Sequence, residues 1–246
     1  MSARFENKVA VVTGGASGIG EAIVRRISSE GGQVVIFDID EEGLKRVSSE
    51  CPVTPLKIDV SSEEDVIRGI ESVVSKFGRL DILVHSAGVV GPTSTKITDY
   101  ATEDFQRVMQ TNLFSTYYLT KHAVSPMLKN NYGRILLISS MAGKDGNPGM
   151  VGYSTSKAGI IGLVKAIGKE YAETGITVNG LAPAVIRTPM NEKTSAEQLR
   201  YLTDRIPMRR LGTVAEAASL ACWIVSDEAS FNTGFIFDLS GGRTTY

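Results

Sequence analysis

Lys8-Val9-Ala10-Val11-Val12-Thr13-Gly14-Gly15-Ala16-Ser17-Gly18-Ile19-Gly20-Glu21-Ala22-Ile23-Val24-Arg25-Arg26-Ile27 is the stretch that decides how this chain folds. Its first six residues form a short run rich in β-branched side chains that stops at two glycines, which predicts a buried strand. After the glycines, Ile19, Ile23 and Ile27 fall on one stripe and predict a helix. Strand, glycine loop and helix start, in that order, point free backbone N–H groups at an anion, where the helix dipole also favours negative charge. Glycines let the backbone turn tightly and let a pyrophosphate approach with no Cβ in the way. The spacing Gly14, Gly18, Gly20 differs from the usual G-x-G-x-x-G fingerprint, and no P-loop lysine follows, which argues against an NTPase.

Moving outward, Gln33-Val34-Val35-Ile36-Phe37-Asp38 reads as a second strand that ends in an acid. A carboxylate at that place can accept both hydroxyls of an adenosine ribose and repels a 2′-phosphate. No Arg or Lys occupies Gly14–Gly18 or the positions of Asp38 and Ile39, so the expected cofactor is NAD rather than NADP. Glu41–Ser49 predicts a helix, Val53–Ile58 a strand leading to Asp59-Val60, and Glu63–Phe77 an amphipathic helix. Asp59 stands where an acid could meet an adenine amino group. Asp81–His85 predicts a fourth strand running into Ser86-Ala87-Gly88. A long helix follows from Tyr100 to about Lys129, then strands at Gly133–Ser140 and Gly175–Leu181, a helix at Ala215–Val225 and a final strand at Gly234–Leu239. This alternation predicts an α/β fold, a Rossmann-type doubly wound parallel sheet with helices on both faces. No linker or composition break interrupts residues 1–246, so one domain is expected, with a polar, aperiodic substrate lid at 190–210.

Tyr153-Ser154-Thr155-Ser156-Lys157 opens another apolar, helix-spaced run that reaches about Tyr171. Residues i and i+4 share a helix face, so the phenol and the ammonium point the same way. A cation beside a phenol favours the phenolate and makes the pair a candidate acid/base; Lys157 and a positively charged nicotinamide together are expected to bring the Tyr153 pKa down from about 10. Alone, such a pair is ordinary helix surface. Ser140 strengthens the case, because ligands of parallel sheets bind outside the carboxyl ends of strands. The loop Gly143–Gly152 then carries the chain back to Tyr153. Asn112 sits inside the long helix, where asparagine is a poor helix former; it either faces solvent or makes a hydrogen bond that matters.

The chain has 246 residues, 42% hydrophobic and 22% charged, with a net charge of −1. That balance gives no electrostatic case for nucleic acid or an anionic membrane as partner. Neither a long apolar run nor a signal-peptide pattern is present, and the expected location is the cytoplasm. Cys51 and Cys222 lie far apart, and His85 and His122 do not join them in a metal spacing, so no metal is expected.

In this order and spacing, Thr13-Gly14-x3-Gly18-Ile19-Gly20, Asp38, Asp59-Val60, Ala87-Gly88, Asn112, Ser139-Ser140, Tyr153-x3-Lys157 and Asn179-x3-Pro183-x4-Thr188 resemble the short-chain dehydrogenase/reductase family over the whole length. The resemblance implies a nicotinamide cofactor, a homotetramer and a tetrad of Asn112, Ser140, Tyr153 and Lys157. In that tetrad the Asn112 backbone would hold a water linking Lys157 to bulk. It also implies cofactor contacts from Gly14, Ser17, Gly18, Ile19, Gly20, Asp38, Ile39, Asp59, Val60, Ser86, Ala87, Gly88, Tyr153, Lys157, Pro183, Ile186 and Thr188. Two departures stand out: His85-Ser86-Ala87-Gly88 where many members have Asn-Asn-Ala-Gly, and Pro183-Ala184 where many have Pro-Gly.

Within the family, the segments Gly143–Pro148 and Pro183–Pro189 and the Ser-Gly-Gly-Arg-Thr-Thr-Tyr ending look most like sugar-acid dehydrogenases of the 2-keto-3-deoxy-L-fuconate and L-rhamnonate 4-dehydrogenase group. The expected substrate is therefore a small-molecule alcohol or ketone of that class, contacted by Ser140, Lys144, Tyr153 and Arg187. Lys144 and Arg187 could pair with its carboxylate, and Arg243 could arrive from a neighbouring subunit; surface solvation or an internal salt bridge accounts for each equally well. A 3-oxoacyl-thioester reductase and a simple polyol dehydrogenase are the alternatives. A non-catalytic NAD-binding protein would be expected to lack Tyr153, Lys157 or Ser140, and all three are present.

Overall fold

The computed structural model describes residues 3–188, 200 and 203–244. The opening stretch forms β1 (Val9–Thr13), buried at all five positions, and α1 (Gly18–Ser29), which buries Ile23, Val24 and Ile27. Next come β2 (Gln33–Asp38), α2 (Glu41–Glu50), β3 (Val53–Lys57), α3 (Glu63–Phe77) and β4 (Ile82–His85). Local chemistry sets the helix ends. Asp40 caps α2 by accepting Gly43 N–H, while Ser62 caps α3, whose first turn carries three acids that complement the helix dipole.

All seven strands lie in one parallel sheet of order β3-β2-β1-β4-β5-β6-β7. The remaining strands are β5 (Gly133–Ile138), β6 (Ile176–Pro183) and β7 (Ile236–Leu239). Because side chains alternate across a strand, Val9 and Val11 enter one core and Ala10 and Val12 the other. On the first face lie α3, α5 (Ser115–Lys129) and α7 (Val151–Glu170). The second face holds α1, α2 and α8 (Val214–Ile224). The order reverses between β1 and β4, whose last residues Thr13 and His85 are register partners. A crevice opens at such a switch point, beyond the carboxyl ends of the strands.

Two segments differ from the sequence reading. The single helix expected from Tyr100 to Lys129 is α4 (Thr102–Met109) and α5 joined by a π-turn at Gln110–Phe114. Asn112 lies in that turn, fully buried, and its amide bonds to the backbone of Val89 rather than to solvent. Such widened turns often mark functional sites. The loop expected at Gly143–Gly152 begins inside a short helix, α6 (Met141–Asp145), which Ser140 caps by accepting Ala142 N–H at 3.1 Å. The expected lid at 190–210 falls largely on residues outside the described ones, as does Tyr246. Among the described residues, no helix is long and apolar enough to cross a membrane, and no cluster of three or more His, Cys, Asp or Glu could hold a metal ion.

Candidate active site

The glycine loop is built for close approach. Gly14 has φ +64°, and a Cβ on it would lie 2.8 Å from Ala87 N. A Cβ on Gly20 would lie 2.1 Å from the Gly14 carbonyl oxygen, so α1 can start against the loop only with glycine there. The Ser17 side chain caps nothing, and the first N–H of α1 with a backbone acceptor is that of Glu21, to Ser17 O at 3.0 Å. Gly18, Ile19 and Gly20 thus keep N–H groups with no acceptor among the described residues. An uncapped helix start behind a glycine turn fits the pyrophosphate of a dinucleotide.

At the end of β2 the Asp38 carboxylate accepts Ala16 N–H at 3.0 Å and Ile39 N–H at 2.8 Å, tying the strand end to the glycine loop. No local pattern announces that a cation comes near. Arg46 of α2 does, donating to Ala16 O at 2.8 Å, but its guanidinium is held as a fork by both oxygens of Glu21 at 2.7 and 2.8 Å. Arg46 and Arg25 in turn hold the Glu21 carboxyl below the usual carboxylate range. Ile39 stands 65% exposed beside Asp38, while Val60 is buried. Asp59 uses one oxygen to accept Ser61 N–H and its hydroxyl.

Beyond β4, Ser86 and Ala87 both donate their N–H to the Thr13 hydroxyl oxygen at 3.2 Å. His85 takes no part in an exposed site. It is buried, with Nδ1 2.7 Å from Thr13 Oγ1 and Nε2 2.9 Å from Ser115 Oγ. Burial first, and then the Lys157 charge, push its pKa down to about 3, against a pull upward from the Asn112 carbonyl. The unfolded chain therefore binds a proton below its ordinary value of 6.5 that the folded chain refuses down to about 3. Stability must fall with falling pH through that window, by about 1.4 kcal/mol per pH unit from this group alone. Urea unfolding at several pH values checks this: His85→Asn should flatten the acid slope by one proton.

The candidate catalytic side chains lie at the ends of neighbouring elements. Ser140 follows β5, and its hydroxyl lies close enough to the Tyr153 phenol at the start of α7 to pull that phenol's pKa down. Lys157 lies one turn on, buried, its Nζ 5.7 Å from the centre of the Tyr153 ring and donating to Ile138 O at 2.8 Å. Ser139 Oγ donates to Lys157 O at 2.8 Å and fixes α7 against the strand end. Asn112 Nδ2 donates to Val89 O at 2.9 Å and to Ser156 Oγ at 3.0 Å, and its Oδ1 accepts Val89 N–H at 2.8 Å. Its backbone oxygen accepts the Thr116 hydroxyl at 2.6 Å. Burial dominates the electrostatics of the pair. Burial raises the Tyr153 phenol above its ordinary 10, while the Ser140 hydrogen bond pulls the other way; burial also brings Lys157 down to about 8. The lysine alone does not make the phenolate here.

The expected cations of the substrate side are mostly spent. Lys144 bonds the Asp238 carboxylate at 2.8 and 3.1 Å, so it is not free for a substrate carboxylate. Arg243, expected from a neighbour, pairs within its own chain with Asp145 at 3.1 Å and donates to Asn147 Oδ1 at 3.0 Å. Arg187 is exposed, makes no ion pair among the described residues, and donates its N–H to Gly212 O at 2.9 Å. Pro183 ends β6, buried Ile186 follows, and Thr188 reaches back to the loop, its Cγ2 3.4 Å from where a Gly18 Cβ would stand. Ala184 packs against the first core. Sequence reasoning missed Thr13, Arg46, Ser115 and Ser156 as polar partners, because each acts on a residue distant in the chain.

The family model described as enoyl-(acyl carrier protein) reductase matches residues 14–244. A 2-dehydro-3-deoxy-L-rhamnonate dehydrogenase (NAD(+)) of Sphingomonas sp. strain SKA58 is 41% identical over 99% of this chain and 98% of its own. The 3-oxoacyl-acyl-carrier-protein reductase FabG of Thermotoga maritima is 37% identical, covering 97% of this chain and 98% of its own. Among solved structures, gox2181 superposes with a TM-score of 0.94 at 31% identity, covering 99% of this chain and 98% of that one. Levodione reductase superposes with a TM-score of 0.93 at 26% identity, with 98% of each chain covered.

Proposed function

The chain belongs to the short-chain dehydrogenase/reductase family of oxidoreductases, and from that premise we propose that it oxidises a secondary alcohol of a 2-keto-3-deoxy sugar acid with NAD, as one catalytic domain. The observation that carries the chemistry is the Ser140 hydroxyl set beside the Tyr153 phenol with Lys157 buried one turn away. NAD supplies a hydride acceptor and a positively charged ring when bound. The residues fit that cofactor: Gly14, Ser17, Gly18, Ile19 and Gly20 for the pyrophosphate, Asp38 for the ribose hydroxyls, Ile39, Asp59 and Val60 for the adenine. Ser86, Ala87, Gly88, Pro183, Ile186 and Thr188 would hold the nicotinamide half.

In this reading Ser140 holds the substrate oxygen, and Tyr153 takes the hydroxyl proton as hydride leaves carbon. Lys157 donates to the nicotinamide ribose and favours the phenolate through its charge. Asn112 keeps the π-turn against Val89 and Ser156, so that the lysine side of the site holds its shape. Arg187 is the remaining candidate partner for the substrate carboxylate, now that Lys144 is bonded to Asp238.

Support for NAD over NADP comes from the Asp38 carboxylate and from the engagement of Arg46 by Glu21. Asp38→Asn should shift the ratio of NAD to NADP dissociation constants by about tenfold towards NADP, because it removes a charge facing the 2′ position. Titration of each cofactor against intrinsic fluorescence reads that shift. The sugar-acid class is supported by the Sphingomonas relative. Steady-state assays across sugar acids, polyols and 3-oxoacyl thioesters test it: the largest kcat/KM should fall on a 2-keto-3-deoxy sugar acid with NAD. A preference for acyl thioester and NADPH would favour the FabG-like alternative.

A further inference from the structure

The His85 imidazole, at the end of β4, joins Thr13 on one side to Ser115 on the other, and its hydrogen bonds allow one protonation state. On one side, Thr13 Oγ1 already accepts N–H groups from Ser86 and Ala87 at 3.2 Å. What the hydroxyl has left to give is its proton, and His85 Nδ1 lies 2.7 Å away. On the other side, Ser115 Oγ donates to Thr111 O at 2.6 Å, so it can meet Nε2 at 2.9 Å only as an acceptor. Nδ1 must therefore be bare and Nε2 must carry the hydrogen. An imidazolium would turn a second N–H towards the Thr13 proton.

The two ends matter differently. Thr13 fixes the Ser86-Ala87 turn, against which the glycine loop packs at Gly14. Ser115 is the first residue of α5, directly after the π-turn that carries Asn112. An asparagine places its polar atoms at the δ level, where they can meet Thr13 but cannot reach Ser115. The histidine adds the longer arm.

We propose that His85 is a positioning residue which, as the neutral Nε2–H tautomer, locks the Ser86-Ala87 turn to the π-turn of Asn112 and so keeps the cofactor side and the proton side of the site in one register. Among the described residues, Lys157 is the charged group it feels, and neutrality at residue 85 spares that ammonium a like charge. The kinetic consequence rests on the NAD-dependent dehydrogenase reading; the tautomer does not.

The chain has two histidines, so ¹⁵N-histidine labelling gives two ring systems, and His122→Gln assigns them. His85 should remain a neutral Nε2–H ring from about pH 8 to about pH 5. An Nδ1–H ring, or one that titrates near 6.5, would overturn the proposal whatever the protein catalyses. Two variants then separate the ends. His85→Asn keeps the δ acceptor, and should leave the NAD dissociation constant within about twofold while kcat falls about tenfold. His85→Gln keeps the ε donor alone, and should weaken NAD binding about tenfold. Equal losses in both variants, or none in either, would mean that residue 85 only fills space. Failure of the wild type to bind NAD would count against the functional reading, and the ring spectrum would still decide the tautomer.

Discussion

Tyr153→Phe is expected to abolish alcohol oxidation, with kcat lower by about three orders of magnitude and NAD binding within a few-fold of the native protein. The substitution removes one oxygen and leaves the ring, so α7 keeps its packing and Lys157 keeps its bond to Ile138 O. What disappears is the group that takes the substrate proton, and positioned general bases contribute about 10²- to 10⁴-fold. Ser140 does not replace it, because a hydroxyl that accepts Ala142 N–H is a hydrogen-bond partner and far too weak an acid or base near neutral pH. Burial raises the phenol pKa while Lys157 and the bound cofactor's charge favour the phenolate, so turnover should rise with pH as the phenolate population grows. The variant's residual rate should lose that dependence. Rapid-mixing NADH formation together with a fluorescence titration of NAD measures both halves. A phenylalanine variant with near-native turnover would remove Tyr153 from the chemistry.

Gly20→Ala should be nearly as damaging, at the other end of the cofactor. An added Cβ would sit 2.1 Å from Gly14 O and 2.7 Å from its carbonyl carbon, and both atoms are backbone. No side-chain rotation relieves that overlap, so the glycine loop must move away from the start of α1. The loop also touches the Ala87 turn, so the displacement reaches the second cofactor segment. NAD affinity should fall by at least about a hundredfold, the loss expected when a pre-formed anion cradle has to be rebuilt on binding. Thermal melting with and without NAD separates this from global unfolding: the variant should still melt cooperatively and lose the shift that NAD produces. Gly78, which ends α3 with no atom within 4 Å of its added Cβ, provides the contrast. Alanine there strains a backbone at φ +74° and should cost stability without touching NAD affinity.

Much of this was readable because the relevant patterns are local. The runs at 9–12 and 34–37 are continuous, apolar and buried, as strands covered on both faces must be, and the stripe of Ile23 and Ile27 marks the helix between them. Tyr153 and Lys157 are one helical turn apart, so their shared face follows from spacing. The features that escaped the reading depend on distant partners. Lys144 finds Asp238 across 94 residues, and no local pattern announces that a cation next to the site is already paired. The π-turn at Gln110–Phe114 exists because Asn112 turns inward to Val89, whereas helix periodicity through Val108 and Leu119 reads straight across it. The same holds for His85, whose part is set by Thr13 and Ser115 on two other elements.

The measurement that bears most directly on the account mixes the wild-type protein with NAD and 2-dehydro-3-deoxy-L-rhamnonate, follows NADH absorbance, and identifies the product by mass. The account predicts one NADH per substrate consumed and a product that has lost one hydride and one proton, with NADP a poor substitute. No NADH from any 2-keto-3-deoxy sugar acid, together with NADPH-driven reduction of a 3-oxoacyl thioester, would contradict it.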